Sequence, residues 1–294
     1  MTTLIVFPGQ GHAPDRATLA RAALHEARSA RGGGHLARAA RAAGLHDAAE
    51  FLAAGGRALD AAAVVSPLVV AVGLTALDTL EDEGRGDVTL LGHSLGELTA
   101  DAAAGALRAA DAIAIAAARG RALDAAAASS PGALVAIDPA DLPRARGATG
   151  GRVAVALDNA PDELVLGGSL EAIAAVVRTV PARRLRVAGA FHTELMRPAR
   201  DALARALDAV SFSTPRRPLW SAVTAARLDD GDAVRDALLE GITGPVRFRE
   251  TLAAALAEGA TRVAIAPPVA AVRALVRRCA GRLAVSEVQA CARS

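Results

Sequence analysis

Between Val88 and Leu107 an apolar, β-rich run (VTLL) meets a glycine-bracketed turn, Gly92-His93-Ser94-Leu95-Gly96, and passes straight into a helical stretch. This feature restricts the fold more than any other in the chain. Glycines two positions either side of a serine let the backbone turn sharply from strand to helix without Cβ clashes. Such a turn holds the hydroxyl exposed above a sheet edge. The helix that follows aims its free N–H groups and positive dipole end at it, which stabilises an oxyanion formed there. A chance G-x-S-x-G match is expected in a Gly- and Ala-rich chain; the strand before and the helix after give this one its meaning.

The rest of the chain extends the pattern. TLIVF (3–7), closed by Pro8-Gly9, reads as a buried strand. From Asp15 to about Ala54 the sequence is Ala/Arg-rich and helical in character, broken at Arg31–Gly34. Pro67 opens another apolar helical segment, as Pro does in a first turn. Asp111 to about Ala128 reads as one more helix.

The pattern then changes to strand (132–138), short helix (139–146), strand (152–157), strand (163–168), helix (169–180), strand (183–189), with a turn at Asn159–Asp162. The order β-α-β-β-α-β is that of a ferredoxin-like unit. It is expected as a small domain over 127–189, inserted into a large domain of 1–126 and 190–294. Beyond it come a helix (198–210), a strand (218–223), a helix (248–259), a strand (261–266) and a closing helix (269–280). Alternating strands and helices imply an α/β fold whose parallel sheet is covered on both faces.

Composition narrows the function. Of 294 residues 52% are hydrophobic, enough for a sizeable core, but aromatics are 2% and Tyr is absent. Stacking on nucleic-acid bases is therefore not expected. All 33 basic residues are Arg, and the net charge is only +2. The arginines are interspersed with Asp and Glu, so no nucleic-acid footprint is expected. Cys279 and Cys291 come without a metal-type cluster and read as ordinary thiols in a reducing compartment. No apolar run suits a membrane span, and the start lacks the layout of a signal peptide. A cytoplasmic protein is expected, with a monomer as the default.

A nucleophilic serine needs a base, because a free hydroxyl is barely nucleophilic at neutral pH. The six histidines are His12, His25, His35, His46, His93 and His192. His25, His35 and His46 lie in the Arg/Ala-rich helices and read as surface residues. His93 adjoins Ser94 but points away from it, which suits a hydrogen-bonded structural role. His192, in GAFHTELM, falls in a loop at the expected domain boundary, where sites are common; the bland alternative is an ordinary loop histidine. Gly9-Gln10-Gly11 follows the first strand, and the Gln10 N–H is a candidate oxyanion donor. A phosphate-cradling loop is the rival there, disfavoured because no Walker-type or G-x-G-x-x-G pattern is present.

Together these pieces resemble the malonyl-CoA:acyl-carrier-protein transacylase family, to which polyketide-synthase acyltransferase domains also belong. The resemblance covers nearly the whole chain: FPGQG (7–11), GHSLGE (92–97), ARGRAL (118–123), NAPDELVLGG (159–168), GAFHTELMRPA (189–199) and GPVRF (244–248). It implies an α/β-hydrolase-like large domain with the ferredoxin-like insert. It implies a ping-pong reaction in which Ser94, deprotonated by His192, attacks an acyl-CoA thioester. The thiol of phosphopantetheine on an acyl carrier protein then resolves the acyl-enzyme. Backbone N–H groups of Gln10 and Leu95 would form the oxyanion hole, and Arg119 would hold the free carboxylate of a malonyl-type group. No bound cofactor or metal is implied. In this family a backbone carbonyl orients the histidine, which falls here to Gly241.

The chain departs from the family pattern at several glutamines. Ser66 stands before Pro67, Glu163 stands in the N-x-P-x-Q stretch, and Gly241 and Gly244 replace a Gln and an Asn. GQGSQ has become GQGHA, and Gly-Pro-Gly has become Ala266-Pro267-Pro268. Phe191 before the histidine resembles malonyl-type versions. The altered positions keep other readings open: a specialised natural-product acyltransferase with another acyl group or a carrier-protein donor, an editing acyl hydrolase, or a non-catalytic docking subunit.

Overall fold

The computed structural model describes residues 2–11, 13–28, 34–47, 50, 61–82, 87–281 and 283–288. Expectations for His12, residues 31–33, residues 51–54 and Cys291 lie outside them.

Two sheets organise the chain. The larger begins with β1 (Thr2–Phe7) and β2 (Val88–Gly92). The smaller contains β3 (Gly132–Ile137), β4 (Ala154–Ala160), β5 (Glu163–Ser169) and β6 (Arg183–Arg184). The larger is completed by β7 (Leu219–Ser221), β8 (Ala226–Arg227), β9 (Ala260–Ile265) and β10 (Val285–Glu287). Its order is β10-β9-β1-β2-β7-β8, parallel except for the β7–β8 edge pair. Leu4, Ile5, Val6, Leu90 and Leu91 are all buried, as a sheet covered on both faces requires. The smaller sheet is antiparallel with order β4-β5-β3-β6. The helices Leu142–Thr149 and Leu170–Thr179 supply its two crossovers, and the expected ferredoxin-like topology is present.

Three contacts place the functional elements. First, β1 and β2 pair with Phe7 opposite Gly92, so the loops carrying Gln10 and Ser94 leave the sheet side by side at its C-terminal edge. That edge is where ligands bind in open α/β sheets. Second, the helices Ala62–Asp82 and Ala109–Ser129 cross where a Cβ on Gly120 would lie 2.4 Å from the Ala62 carbonyl oxygen. Only glycine permits that approach, and it brings Arg119 toward Ser66. Third, Val246 bridges to Leu157, joining the 244–248 segment to β4.

Several local expectations needed tertiary context. The helix around Pro67 begins at Ala62, because the Asp124 carboxylate accepts the Ala62 and Ala63 N–H groups at 3.1 and 3.0 Å. A side chain sixty positions away thus caps orphan donors at its start. β6 is confined to Arg183 and Arg184, followed by one more hydrogen bond to β3, from the Leu185 N–H to the Leu134 carbonyl at 2.9 Å, before the chain departs toward His192. β4 runs through Asn159 and Ala160, which the sequence placed in a turn. The helix Gly231–Thr243 and the edge strands β8 and β10 carried no clear sequence signal. His25 and His35 are buried rather than on the surface, at 8% and 6% exposure. Their helices pack these faces inward, and His35 Nε2 meets Asp78 at 3.2 Å. His46 is exposed, as expected.

Candidate active site

Ser94 sits at the turn between β2 and the helix Gly96–Ala103 with φ of 55°. The flanking glycines are obligatory. A Cβ on Gly92 would lie 2.2 Å from the Glu97 nitrogen, and one on Gly96 would lie 2.1 Å from the Phe7 carbonyl oxygen. The elbow is thus pressed against the end of β1 by backbone contacts that no side chain could enter.

His192 follows the small domain and also has positive φ, at 61°. It is buried, and its Nε2 lies 2.8 Å from Ser94 Oγ across 98 positions of sequence. Its Nδ1 lies 2.6 Å from the Gly241 carbonyl oxygen. A carbonyl only accepts, so Nδ1 carries the proton and donates it to Gly241. Nε2 is then left with the lone pair that faces the serine hydroxyl. Burial, reinforced by the positive charge of Arg119, pushes the His192 pKa down to about 3. The imidazole is therefore neutral at physiological pH and able to receive a proton.

Gly9 lies against the elbow: a Cβ there would be 2.9 Å from the His93 carbonyl oxygen and 3.5 Å from Ser94 Cβ. This brings Gln10 beside Ser94. Among the described residues, neither the Gln10 N–H nor the Leu95 N–H donates to a protein acceptor. Arg119 is 6% exposed, and its Nη1 donates to Gln10 Oε1 at 3.2 Å. The same oxygen accepts Ser66 Oγ–H at 3.3 Å. Burial lowers the Arg119 pKa to about 10, against the pull of Glu97, so the guanidinium stays charged at neutral pH. Ser66 thus joins the Gln10–Arg119 contact despite replacing a longer residue.

His93 faces away from the dyad, as expected. Its Nε2–H donates to Asn159 Oδ1 at 2.9 Å, and its ring meets Phe248 edge-on at 4.9 Å. Asn159 Nδ2 donates in turn to Glu163 Oε1 at 3.0 Å. Glu163 Oε2 accepts from Arg278 at 3.1 Å and Arg183 at 3.4 Å. Among the described residues, no three His, Cys, Asp or Glu side chains gather as metal ligands.

The acyl transferase domain family matches residues 6–292. The malonyl CoA-acyl carrier protein transacylase of Bacillus subtilis is 31% identical over 229 residues, 74% of this chain and 72% of that protein. The chain belongs to the malonyl-CoA:acyl-carrier-protein transacylase family. A Synechocystis member is 31% identical over 189 residues, 63% of this chain, and the match spans 64% of that relative's length. The crystal structure of MCAT from Mycobacterium tuberculosis superposes with a TM-score of 0.84 at 27% identity, covering 98% of this chain and 97% of the other. The transacylase family has an α/β architecture with a parallel sheet and a ferredoxin-like domain, as found here.

Sequence reasoning missed three participants. Asn159 was read as part of a turn. Ser221, in a short strand, carried no signal. Glu97 was visible inside GHSLGE, but an acid in a first helical turn reads as a solvated partner of the helix dipole. Instead it is 5% exposed, and burial pushes its pKa up to about 7.

Proposed function

We propose that this acyltransferase moves a malonyl-type group from CoA to the phosphopantetheine thiol of an acyl carrier protein, through an ester on Ser94. The observation that carries the reading is the 2.8 Å Ser94 Oγ–His192 Nε2 contact, completed by the Gly241 carbonyl at 2.6 Å. His192 Nε2 takes the Ser94 proton as Oγ attacks the thioester carbonyl. The negative charge on the former carbonyl oxygen is met by the N–H groups of Gln10 and Leu95 and the dipole of the helix Gly96–Ala103. The C–S bond breaks, His192 returns its proton to the departing sulfur, and free CoA leaves. The carrier thiol then repeats the sequence: its proton goes to His192, its sulfur attacks the ester, and Ser94 is reprotonated.

Arg119 gives the acyl preference. A buried guanidinium whose hydrogen-bond partner is a neutral amide has donors and charge to offer a carboxylate in bidentate fashion. The free carboxylate of a malonyl group supplies that partner. Acyl-CoA and the carrier's phosphopantetheine enter as substrates, and the chain's own residues carry the proton transfers. We place the division of labour between a large domain (1–126 and 190–294), which holds the nucleophile and oxyanion donors, and a small domain (127–189) that walls the cleft. Among the described residues no helix is long and apolar enough to cross a membrane, and a cytoplasmic setting suits both substrates.

Intact-protein mass spectrometry tests the reading. Incubation with malonyl-CoA should add one malonyl mass to the wild-type chain and none to Ser94→Ala. Subsequent addition of phosphopantetheinylated carrier protein should remove it and label the carrier. An unlabelled wild-type chain would end the proposal. Labelling that water discharges as fast as the carrier does would turn it into a hydrolase.

A further inference from the structure

The helix that begins at the Ser94 elbow carries a buried carboxylate that takes no part in the proton transfers above. Glu97 lies one turn after the nucleophile, and its backbone N–H donates to the Ser94 carbonyl at 3.0 Å. Its Oε1 accepts the Ser221 hydroxyl at 2.7 Å and the Val223 N–H at 3.3 Å. Ser221 ends β7, opposite Gly92 of β2. Val223 packs beneath Gly241, whose added Cβ would lie 2.9 Å from Val223 Cγ2. The Gly241 carbonyl is the acceptor for His192 Nδ1–H. On its outer side the same loop is held by Arg247, whose N–H reaches the Ala222 carbonyl at 2.6 Å and whose Nη1 reaches the Thr224 carbonyl at 3.0 Å.

We propose that Glu97 is a positioning residue for the dyad: one carboxylate ties the Ser94 elbow to the 221–224 loop, and that loop sets the Gly241 carbonyl on which His192 is aligned. The proposal rests on the acyl-enzyme reading and adds a residue to it.

The chemistry favours a role beyond packing. Two donors converge on one oxygen, Oε1, which accepts both whether or not the acid carries a proton on Oε2. A well-packed apolar side chain would fill the space without the desolvation cost of a buried acid. That cost is lowered by Arg119 from the helix Ala109–Ser129, while Glu97 itself pushes up the pKa of Asp101, buried one turn along the same helix. The arrangement therefore bears that cost at a place adjoining both the Ser94 elbow and the carbonyl that accepts from His192.

The test compares wild type, Ser221→Ala, Glu97→Gln and Glu97→Ala in the full chain. Quenched-flow mass spectrometry follows acylation of Ser94 by malonyl-CoA, and proton NMR follows the downfield His192 Nδ1–H signal. Ser221→Ala and Glu97→Ala should slow single-turnover acylation by roughly 10- to 100-fold, with half-saturation little changed, because the reacting atoms are displaced rather than the substrate site. Both should move the imidazole signal. Glu97→Gln, which keeps one acceptor oxygen, should recover most of the rate. Should Glu97→Ala fail to fold, Ser221→Ala and Glu97→Gln carry the comparison. Wild-type rates in Ser221→Ala with an unmoved signal would overturn the proposal, as would losses confined to half-saturation. A wild-type chain that is never acylated would refute the acyl-enzyme reading instead, and the imidazole signal would then decide the role of Glu97 alone.

Discussion

Ser94 and His192 meet at 2.8 Å with both backbones in the left-handed region, at φ of 55° and 61°. Neither residue is a glycine, and such conformations cost about 1–3 kcal/mol each unless the surroundings impose them. At Ser94 they are imposed by the backbone contacts of Gly92 and Gly96. At His192 they are accompanied by the hydrogen bond to Gly241. Strain and hydrogen bonding thus converge on a single interatomic distance, and the reaction proposed for this chain depends on it.

The base should titrate far from the ordinary histidine range. Burial and Arg119 both disfavour the imidazolium, placing its pKa at about 3 against 6.5 for a free side chain. Nitrogen-15 NMR of the imidazole should show neutral His192, with its proton on Nδ1, from about pH 8 down to about pH 5. Replacing Arg119 by Ala removes a repelling charge, so protonation should then occur at higher pH. A His192 signal titrating near 6.5 in the wild type would contradict the desolvated dyad.

Arg119 should matter for acyl groups that bear a carboxylate and not for those that lack one. Arg119→Ala should reduce kcat/KM for malonyl-CoA by about 3 kcal/mol, the scale of breaking a buried charge pair. Arg119→Lys should restore little, because an ammonium cannot reproduce a two-pronged contact. Acetyl-CoA, slow with the wild type, should lose no further rate in either variant. Equal losses for both thioesters would assign Arg119 to structure rather than recognition.

Gly96 offers a sharp test of the elbow. An added methyl would lie 2.1 Å from a backbone oxygen of β1, which cannot rotate away as a flexible side chain could. Gly96→Ala should destabilise the fold by about 3 kcal/mol, the upper end for overpacking, and suppress labelling of Ser94. Gly147, where an added Cβ meets nothing within 4 Å, provides the control substitution and should be close to neutral. Chemical denaturation of the two variants makes the comparison.

The Ser94 elbow was legible because its backbone geometry is encoded locally. Glycines at fixed offsets dictate the Ser94 turn, and the segment around His192 sits at a change of pattern between two domains. The Gly241 contact came from the family resemblance alone, and a main-chain acceptor is kept there whatever the side chain. Burial and long-range partners were not. Nothing near Pro67 announces that Asp124 caps its helix, and nothing near His35 announces Asp78. Asn159 looked like a turn residue because Pro161 and Asp162 follow it. Its strand continues to Ala160, and its side chain faces His93 from another sheet. Glu97 closes the GHSLGE motif, but only packing gives it an environment.

That environment leads to a prediction on stability. Burial raises the Glu97 pKa from 4.5 to about 7, so between these values the folded chain holds a proton that the unfolded chain releases. Stability linked to Glu97 is fully present below about pH 4.5 and is lost as pH rises through about 7. The shift corresponds to about 3 kcal/mol. Asp101, raised in the same direction by burial and by Glu97, adds a slope of the same sign. Glu97→Gln cannot ionise and also relieves Asp101. Urea unfolding between about pH 5 and pH 8 should therefore show a smaller decline for Glu97→Gln than for the wild type, with the two curves converging at the acid end. Parallel curves across that range would mean that Glu97 ionises in the fold as freely as it does in the unfolded chain.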